Sequence, residues 1–227
     1  MKPIAIFYHG LFIMGQPPHF LPSATPIICK QMSQLTTSGL LEAASEFHVG
    51  INGGPESKSF VNNYIPKKAG VIYHGLSSRA ENLTIVGLEN WVKSHPGWNV
   101  LYFHSKGASH PLTSDYGKSS GLWRDGMMED LVMNWRQCVA DLETHDIVAS
   151  HWMWELGHDK SQHIPCGNFL WLSSDFAAKL PSIYLRERIK QDGIAALSSR
   201  YEAEVYWGNG PKPIVKQFRP NGGGGVP

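Results

Sequence analysis

One stretch limits the fold more than any other: the apolar residues 100–103 lie between a Pro-Gly turn at 96–97 and a polar segment at 104–107. A short apolar run with two aromatic side chains and turn residues before it predicts a buried strand. In an open α/β sheet, ligands bind outside the carboxyl ends of the strands. The polar segment therefore lies where a binding site is expected.

Earlier parts of the chain repeat this pattern. Residues 4–8, 47–51 and 71–73 are apolar or alternating runs that predict strands, and helical spacing of apolar residues predicts helices at 26–37 and 80–94. Strands that alternate with helices predict βαβ units and a largely parallel sheet. The predicted fold class is α/β, with a mostly parallel central sheet flanked by helices.

The later chain gives one strong helical pattern and several short runs. Residues 108–120 are polar and predict a loop, and the apolar spacing between Leu122 and Leu142 predicts an amphipathic helix of about five turns. Residues 146–149 and 169–172 predict strands, and residues 214–218 predict an edge strand between prolines.

Composition excludes several classes of partner. Charged residues make up 17% of the 227 residues and the formal net charge is +1, so charge does not favour nucleic acid or an anionic membrane as partner. No run approaches the ~20 apolar residues of a membrane span. Three widely spaced cysteines predict reduced thiols in a cytoplasmic protein. The length predicts one domain over residues 1–220, and the glycine-rich residues 221–227 predict a flexible tail.

The polar segment after the run at 100–103 has residue types that suit an anion. Lys106 carries a point charge that fits a phosphate oxygen, and exposed backbone N–H groups around Gly107 could cradle an anion. The alternative is a strand that runs into an ordinary polar loop.

Three blocks, in order along the chain, resemble a known group of proteins. They are the run LYFHSKG at 101–107, the run HIPCGNFLW at 163–171 and the run RYEAEVYW at 200–207. They are similar to the HxKG, GNFWW and AExW blocks of polysaccharide-type glycosyltransferases with the GT-A (nucleotide-diphospho-sugar transferase) fold. Leu170 replaces one aromatic residue of the second block. The resemblance implies a GT-A-like fold and transfer of a sugar from a nucleotide-sugar donor to a saccharide or glycoconjugate acceptor.

The resemblance also implies a set of donor-binding residues. The residues expected near the nucleotide base and diphosphate are Tyr8, His9, His104, Ser105, Lys106, Gly107 and Arg124. The alternative for Tyr8 and His9 is local packing at a strand end, and the alternative for Arg124 is anchoring of the preceding loop.

An acceptor-side wall is implied in the same way. Its expected members are His163, Gly167, Asn168, Phe169 and Trp171. The alternative is that the two aromatic residues belong to the core of a strand. For the base that takes the acceptor proton, the resemblance points to Glu204, with Glu202 as second choice; the alternative is a glutamate on a helix surface paired with Arg200.

The cofactor expectation departs from the family pattern. Many GT-A enzymes bind a divalent metal through an Asp-x-Asp pair, and this chain contains no such pair. We therefore expect cationic side chains to meet the diphosphate with no required cofactor, while Mn²⁺ or Mg²⁺ on another carboxylate stays the alternative. The metal ligands, if any, are unknown from the sequence.

Two other motifs and one other class of function compete with this interpretation. Residues 117–121 fit Gly-x-Ser-x-Gly, but no buried strand precedes them as a nucleophile elbow requires. His158, His163 and Cys166, with His151 or Glu155, have ligand types that zinc accepts at spacings that match no standard zinc site. The alternative function is a non-catalytic module that binds a sugar or nucleotide on the same fold.

Overall fold

The computed structural model describes residues 2–14, 19–20, 23–53, 57–75, 80–156, 162–183 and 202–219. The described strands are β1 Ile4–Leu11, β2 Ile13–Met14, β3 His19–Phe20, β4 Glu46–Asn52, β5 Gly70–Tyr73, β6 Asn99–His104, β7 Ile147–Ala149, β8 Trp152–Leu156, β9 Gln162–Pro165, β10 Leu170–Ser173 and β11 Val215–Gln217. The described helices are α1 Ala24–Thr37, α2 Leu40–Ala43, α3 Lys58–Tyr64, α4 Ala80–Val92, α5 Asp115–Met128, α6 Trp135–Asp141, α7 Ser174–Ala177 and α8 Glu202–Tyr206, with a π-helix at Glu129–Met133 between α5 and α6.

Seven strands form the central sheet in the order β11-β7-β10-β6-β1-β4-β5. The pairs that β1 makes with β4 and β6 are parallel, as are the pairs β4–β5 and β7–β11. Only β10 among the strands of this sheet runs antiparallel to its neighbours, β6 and β7. The predicted α/β class, with a mostly parallel sheet flanked by helices, is confirmed.

The strands alternate their side chains between two hydrophobic clusters, one on each face of the sheet. In β1, Ile4, Ile6 and Tyr8 enter the cluster beneath α1 and α5, while Ala5 and Phe7 enter the cluster beneath α4. This alternation follows from the two-residue period of a strand. Because helices cover both faces, nearly every β1 and β6 side chain is buried, which explains why these strands read as continuous apolar runs.

The long helix between residues 115 and 141 differs from the prediction in two ways. It starts seven residues before Leu122, because the Ser114 hydroxyl accepts a hydrogen bond from Gly117 N (3.0 Å) and caps the first turn. The predicted polar loop at 108–120 is therefore wrong beyond residue 114. The π-helix then interrupts it, and within that segment Leu131 O accepts a hydrogen bond from Trp171 Nε1 (2.7 Å). The predicted apolar face is confirmed from Met128 onward, where Met128, Leu131, Trp135, Cys138 and Leu142 are buried, whereas Leu122 is exposed.

The remaining predictions concern the chain termini. The edge strand expected at 214–218 is confirmed as β11. The glycine-rich residues 221–227 lie outside the described residues, so the tail and the single domain over 1–220 stay predictions. In the described part of the chain, no helix has the length and apolar character to cross a bilayer.

Candidate active site at the carboxyl ends of β1 and β6

The parallel register of β1 and β6 places His9 directly beside His104, at the carboxyl edge of the sheet. Ser105 ties the following loop to β1: its N–H donates to His9 O (2.9 Å), and its hydroxyl accepts from Leu11 N (2.8 Å). Gly107 has φ +83°, and a Cβ there would lie 3.1 Å from the Ser120 Cβ. The polar segment 104–107 therefore forms a tight turn, called the corner below, which the two Ser105 hydrogen bonds hold against β1.

Lys106 is the cation of this corner. Its side chain is 13% exposed, and its ammonium lies 4.1 Å from the centroid of the Trp123 ring and 3.8 Å from Glu204 Oε1. Arg124 Nη1 donates to the Lys106 carbonyl (2.8 Å), which fixes the backbone. The predicted diphosphate ligand and the predicted base, from distant parts of the chain, therefore lie side by side. Arg124 is buried and anchors the loop, the alternative role considered for it.

Glu204 and Cys166 border Lys106 on one side. Glu204 is in α8, and its side chain is 18% exposed. Burial, with a further contribution from the Glu204 charge, raises the pKa of the Cys166 thiol to about 11, although Lys106 opposes this. Cys166 is therefore a protonated thiol at neutral pH and not a nucleophile.

His104 has a defined tautomer. Its Nε2 lies 3.0 Å from Gly167 O, and a carbonyl oxygen can only accept, so we assign the proton of the neutral ring to Nε2. Burial lowers the pKa of His104, and the charge of Lys106 lowers it further, against the opposing effect of Glu81. The ring is therefore neutral at pH 7, and its unprotonated Nδ1 faces Glu81 Oε1 at 3.7 Å.

Glu81 is a site residue that our sequence reasoning missed. Its Oε1 accepts hydrogen bonds from the Tyr102 hydroxyl (3.0 Å) and from Asn168 Nδ2 (2.6 Å). Burial alone would raise the pKa of Glu81, but the positive charge that His104 and His9 carry when protonated, together with these two hydrogen bonds, outweighs burial and holds the pKa below its usual value. A usable signal existed: Glu81 lies in the first turn of α4, and a helix that follows a parallel strand begins at the carboxyl edge of the sheet.

A hydroxyl bridge joins two more histidines at this edge. Thr84 Oγ1 lies 2.8 Å from His9 Nδ1 and 2.9 Å from His74 Nε2. Burial lowers the pKa of His9 to about 3, with smaller contributions from His104 and His74 against that of Glu81. Burial also lowers the pKa of His74. His9 is therefore neutral and held by α4, so it belongs to the polar network of the site.

Tyr8, expected near the nucleotide base, points away from the site. It is fully buried in the core, and its hydroxyl donates to Gln31 Oε1 (2.9 Å). Gln31 Nε2 in turn donates to His104 O (3.0 Å). The local-packing alternative therefore describes Tyr8. Through Gln31, Tyr8 is linked by hydrogen bonds to the backbone at the end of β6.

The expected acceptor wall divides into site and core residues. Asn168 is fully buried at φ 58°, where its amide donates to Glu81 and its Oδ1 accepts from Trp207 Nε1. Phe169 and Trp171 are buried in the core, and the Trp171 indole donates to Leu131 O (2.7 Å). The strand-core alternative therefore describes both aromatic residues.

Of the remaining predicted site residues, Gly167 is fully described, whereas His163 and Glu202 are described only in their backbone. Gly167 has φ +85°, and a Cβ there would lie 2.7 Å from Met127 Sδ, so only glycine lets its carbonyl reach His104. His163 and Glu202 are in described elements, but their side chains lie outside the described part of the chain. Of the two base candidates, only Glu204 has a described side chain.

The competing motifs do not form sites in the described residues. Ser119 lies within α5, where its hydroxyl donates to Tyr116 O (3.1 Å), so the Gly-x-Ser-x-Gly run is not a strand-to-helix elbow. Across the described ranges, no group of three or more His, Cys, Asp or Glu side chains is arranged to hold a metal ion. His158 lies outside those ranges.

Comparison with known proteins finds solved structures of similar fold and nothing closer. No family model matches the chain, and no curated protein matches it. One similar structure is a protein of Desulfovibrio desulfuricans G20 assigned by inference as a nucleotide-diphospho-sugar transferase, with a TM-score of 0.47 and 13% identity over 97% of this chain and 80% of that chain. A second is 4-diphosphocytidyl-2C-methyl-D-erythritol synthase of Anaerococcus prevotii DSM 20548, with a TM-score of 0.43 and 9% identity over 95% of this chain and 89% of that chain.

A third similar structure is a CMP:2-keto-3-deoxy-manno-octonic acid synthetase complexed with CTP, with a TM-score of 0.41 and 9% identity over 86% of this chain and 87% of that chain. All three are proteins of the nucleotide-diphospho-sugar transferase type of fold, and they differ in the group that they transfer. Because these TM-scores and identities are low, the functional proposals below are drawn from the residues of this chain.

Proposed function

We propose that the corner formed by His104, Lys106, Glu81 and Glu204 binds a nucleoside-diphosphate sugar and transfers its sugar to a hydroxyl of a saccharide or glycoconjugate acceptor. The single observation that carries the proposal is the Lys106–Glu204 pair, a nearly buried cation and carboxylate 3.8 Å apart at the carboxyl end of β6. In transfer with inversion, a positive charge stabilises the leaving diphosphate and a base takes the acceptor proton.

Lys106 is the group that meets the diphosphate. Its ammonium lies in a corner that is poorly exposed to water, where a charge interacts more strongly than it does in bulk solvent. The ammonium lies over the Trp123 ring, 4.1 Å from its centroid, and this cation–π contact helps to position it. As the bond between the anomeric carbon and the phosphate oxygen breaks, the electron pair moves to the diphosphate, and Lys106 stabilises that charge. This charge is supplied without a metal, and adding EDTA or Mn²⁺ to the assay tests that part of the proposal.

Glu204 is the base. The Glu204 carboxylate lies beside the Lys106 ammonium, so the acceptor and the diphosphate meet at this pair. The acceptor oxygen forms a bond to the anomeric carbon, and its proton moves to Glu204. Such a base contributes about 10²–10⁴-fold to the rate.

The test is turnover of sugar nucleotides by the purified protein. UDP-, GDP- and dTDP-hexoses are incubated with the protein, and released nucleotide is measured for the parent, for Glu204→Gln and for the control Glu42→Gln, an exposed carboxylate in α2. We expect turnover by the parent and the control and a loss of about 10²-fold or more in Glu204→Gln. Turnover that is equal in all three proteins contradicts the role of Glu204. Tight calorimetric binding of a sugar nucleotide without turnover in the parent would instead support the non-catalytic binding module.

A further inference from the structure

The two carboxylate oxygens of Glu81 are bound unequally. Oε1 accepts hydrogen bonds from the buried Tyr102 hydroxyl (3.0 Å) and from the buried Asn168 amide (2.6 Å). The structure gives Oε2 no hydrogen-bond partner among the residues that it describes, and the side chain is 25% exposed. The described residues therefore fix the carboxylate through one oxygen and supply no partner to the other.

A second acceptor lies beside this carboxylate. His104 donates from Nε2 to Gly167 O (3.0 Å), so its neutral ring has a lone pair on Nδ1. That Nδ1 is 3.7 Å from Glu81 Oε1, and the two acceptors have no proton to share. His104 Nδ1 and Glu81 Oε2 are therefore neighbouring acceptors to which the described residues supply no donor, and a ligand with two neighbouring donors satisfies both. A phosphate group carries negative charge and lone pairs, so it suits Lys106 and not this position.

We propose that Glu81 and His104 together bind two neighbouring hydroxyl groups of a sugar ring and select for substrates that have both. Carboxylates bind ribose hydroxyls in other nucleotide-binding α/β folds, so the chemistry has precedent. The hydroxyls belong either to the ribose of the nucleotide or to the transferred sugar. This inference rests on the proposed function in taking the same sugar nucleotide, with the diphosphate at Lys106.

Calorimetry with four kinds of probe tests the inference and separates the two sources. The probes are UDP and GDP, their 2′-deoxy counterparts, UDP-glucose and GDP-mannose. If the ribose is bound, the parent prefers a ribonucleotide to its deoxy counterpart by about tenfold or more, and Glu81→Gln reduces the preference to below about threefold. If the transferred sugar is bound, Glu81→Gln weakens the sugar nucleotides by a similar factor and leaves UDP and GDP unchanged.

The matched control is Glu89→Gln, the same substitution in the same helix. Glu89 is buried and accepts hydrogen bonds from Ser182 Oγ (3.0 Å) and Ile183 N (2.7 Å), away from His104. We expect it to leave every affinity unchanged. Tyr102→Phe removes one hydrogen bond to Oε1 and keeps the ring, so it should lower the affinity for the same probes as Glu81→Gln, by a smaller factor. It serves as the test if Glu81→Gln does not fold.

Three results would overturn the inference: equal affinities of Glu81→Gln or Tyr102→Phe and the parent for all probes, weakening by Glu89→Gln to the same extent, or no binding of any probe by the parent. The result is independent of turnover. If binding depends on Glu81 but no turnover occurs, the transferase proposal is contradicted and this inference is supported. If turnover occurs but Glu81→Gln does not change binding, the transferase proposal is supported and this inference is contradicted.

Discussion

A glutamate lies among histidines at each end of the central strands, Glu46 at the amino edge and Glu81 at the carboxyl edge. The two differ in how their carboxylate oxygens are contacted. At the amino edge, Glu46 Oε2 accepts from His48 Nε2 (2.7 Å) and from Trp91 Nε1 (2.8 Å), while Oε1 faces His95 Nε2 at 3.8 Å. At the carboxyl edge, all the contacts of Glu81 that the described residues supply reach Oε1. Both oxygens of the amino-edge carboxylate have a neighbour, one through hydrogen bonds and the other at 3.8 Å, whereas the described residues supply no contact to Glu81 Oε2.

This difference separates a structural cluster from a candidate site with the same residue types. Glu46 joins the start of β4 to the end of α4, and the His95 ring stacks on Trp91 at 4.0 Å between centroids. Its hydrogen bonds are internal, so we expect its loss to reduce stability. Glu81 and Lys106 keep polar atoms near the surface at the edge where α/β folds bind ligands, so we expect their loss to reduce function. Substitutions at the two edges should therefore give opposite results.

The largest effect is expected from Lys106→Met at the carboxyl edge. Met keeps the packing on Trp123 and removes the charge, so kcat/KM for a sugar nucleotide should fall by about 10²–10³-fold with little change in Tm. The control is Lys118→Met, which removes an exposed lysine from α5. A drop in Tm with unchanged turnover would make Lys106 a structural residue like those of the amino edge.

The next effect is acid sensitivity at the carboxyl edge. Because the pKa of His9 is lowered from 6.5 to about 3, the unfolded chain binds more protons than the folded protein between these pH values, and stability falls as the pH falls. Between pH 6.5 and 4.5 this loss is about 2 kcal/mol. We expect His9→Asn, which keeps an amide near Thr84, to flatten that part of the curve in urea unfolding. An unchanged slope below pH 6.5 would mean that His9 is not the group responsible.

A smaller loss should come from Gly50→Ala, which tests the histidine bridge without touching a histidine. A Cβ on Gly50 would lie 2.0 Å from Thr84 Oγ1 and 2.5 Å from His74 Nε2, so the bridge must open or the helix must shift, at about 1–3 kcal/mol. Gly87→Ala in α4 is the control, since a Cβ there meets no atom within 4 Å. It should stabilise the helix by about 0.5–1 kcal/mol. Equal unfolding free energies for the two variants would contradict the packing described for Thr84.

The smallest effect is expected from Glu46→Leu at the amino edge. Trp91 Nε1 and His48 lose their acceptor, which should lower the free energy of unfolding by about 1 kcal/mol and Tm by about 2–4 °C. Turnover per folded molecule should not change. If Glu46→Leu abolished turnover at unchanged Tm, the contrast between the edges would fail.

Much of the fold was predictable because burial on both faces gives strands a distinct pattern. The runs at 4–8 and 100–103 appear as β1 and β6, and these two strands pair with each other in parallel. The antiparallel direction of β10 was not predictable, since a fully buried run has the same composition in either direction. The early start of α5 was missed because Gly117 and other polar or small residues in its first turns give no apolar stripe.

The site was predictable only where it is local in sequence. His104 and Lys106 follow a strong strand signal, so their place at the sheet edge could be foreseen. The contact of Glu81 with Asn168 could not, because it joins a helix start to a turn far along the chain. For Tyr8 and Trp171 strand periodicity already favoured the core alternative, because Tyr8 shares a strand face with Ile6 and Trp171 lies in a strand with buried neighbours.

The most direct test of the central claim is a crystal structure of Glu204→Gln with a bound nucleoside-diphosphate sugar, since this variant keeps the shape of the site and slows turnover. We predict the diphosphate within hydrogen-bonding distance of Lys106 Nζ, beyond the carboxyl ends of β1 and β6, and a sugar-ring hydroxyl on Glu81 Oε2. A sugar nucleotide bound at any other surface, with Lys106 and Glu81 making no contact to it, would contradict the claim.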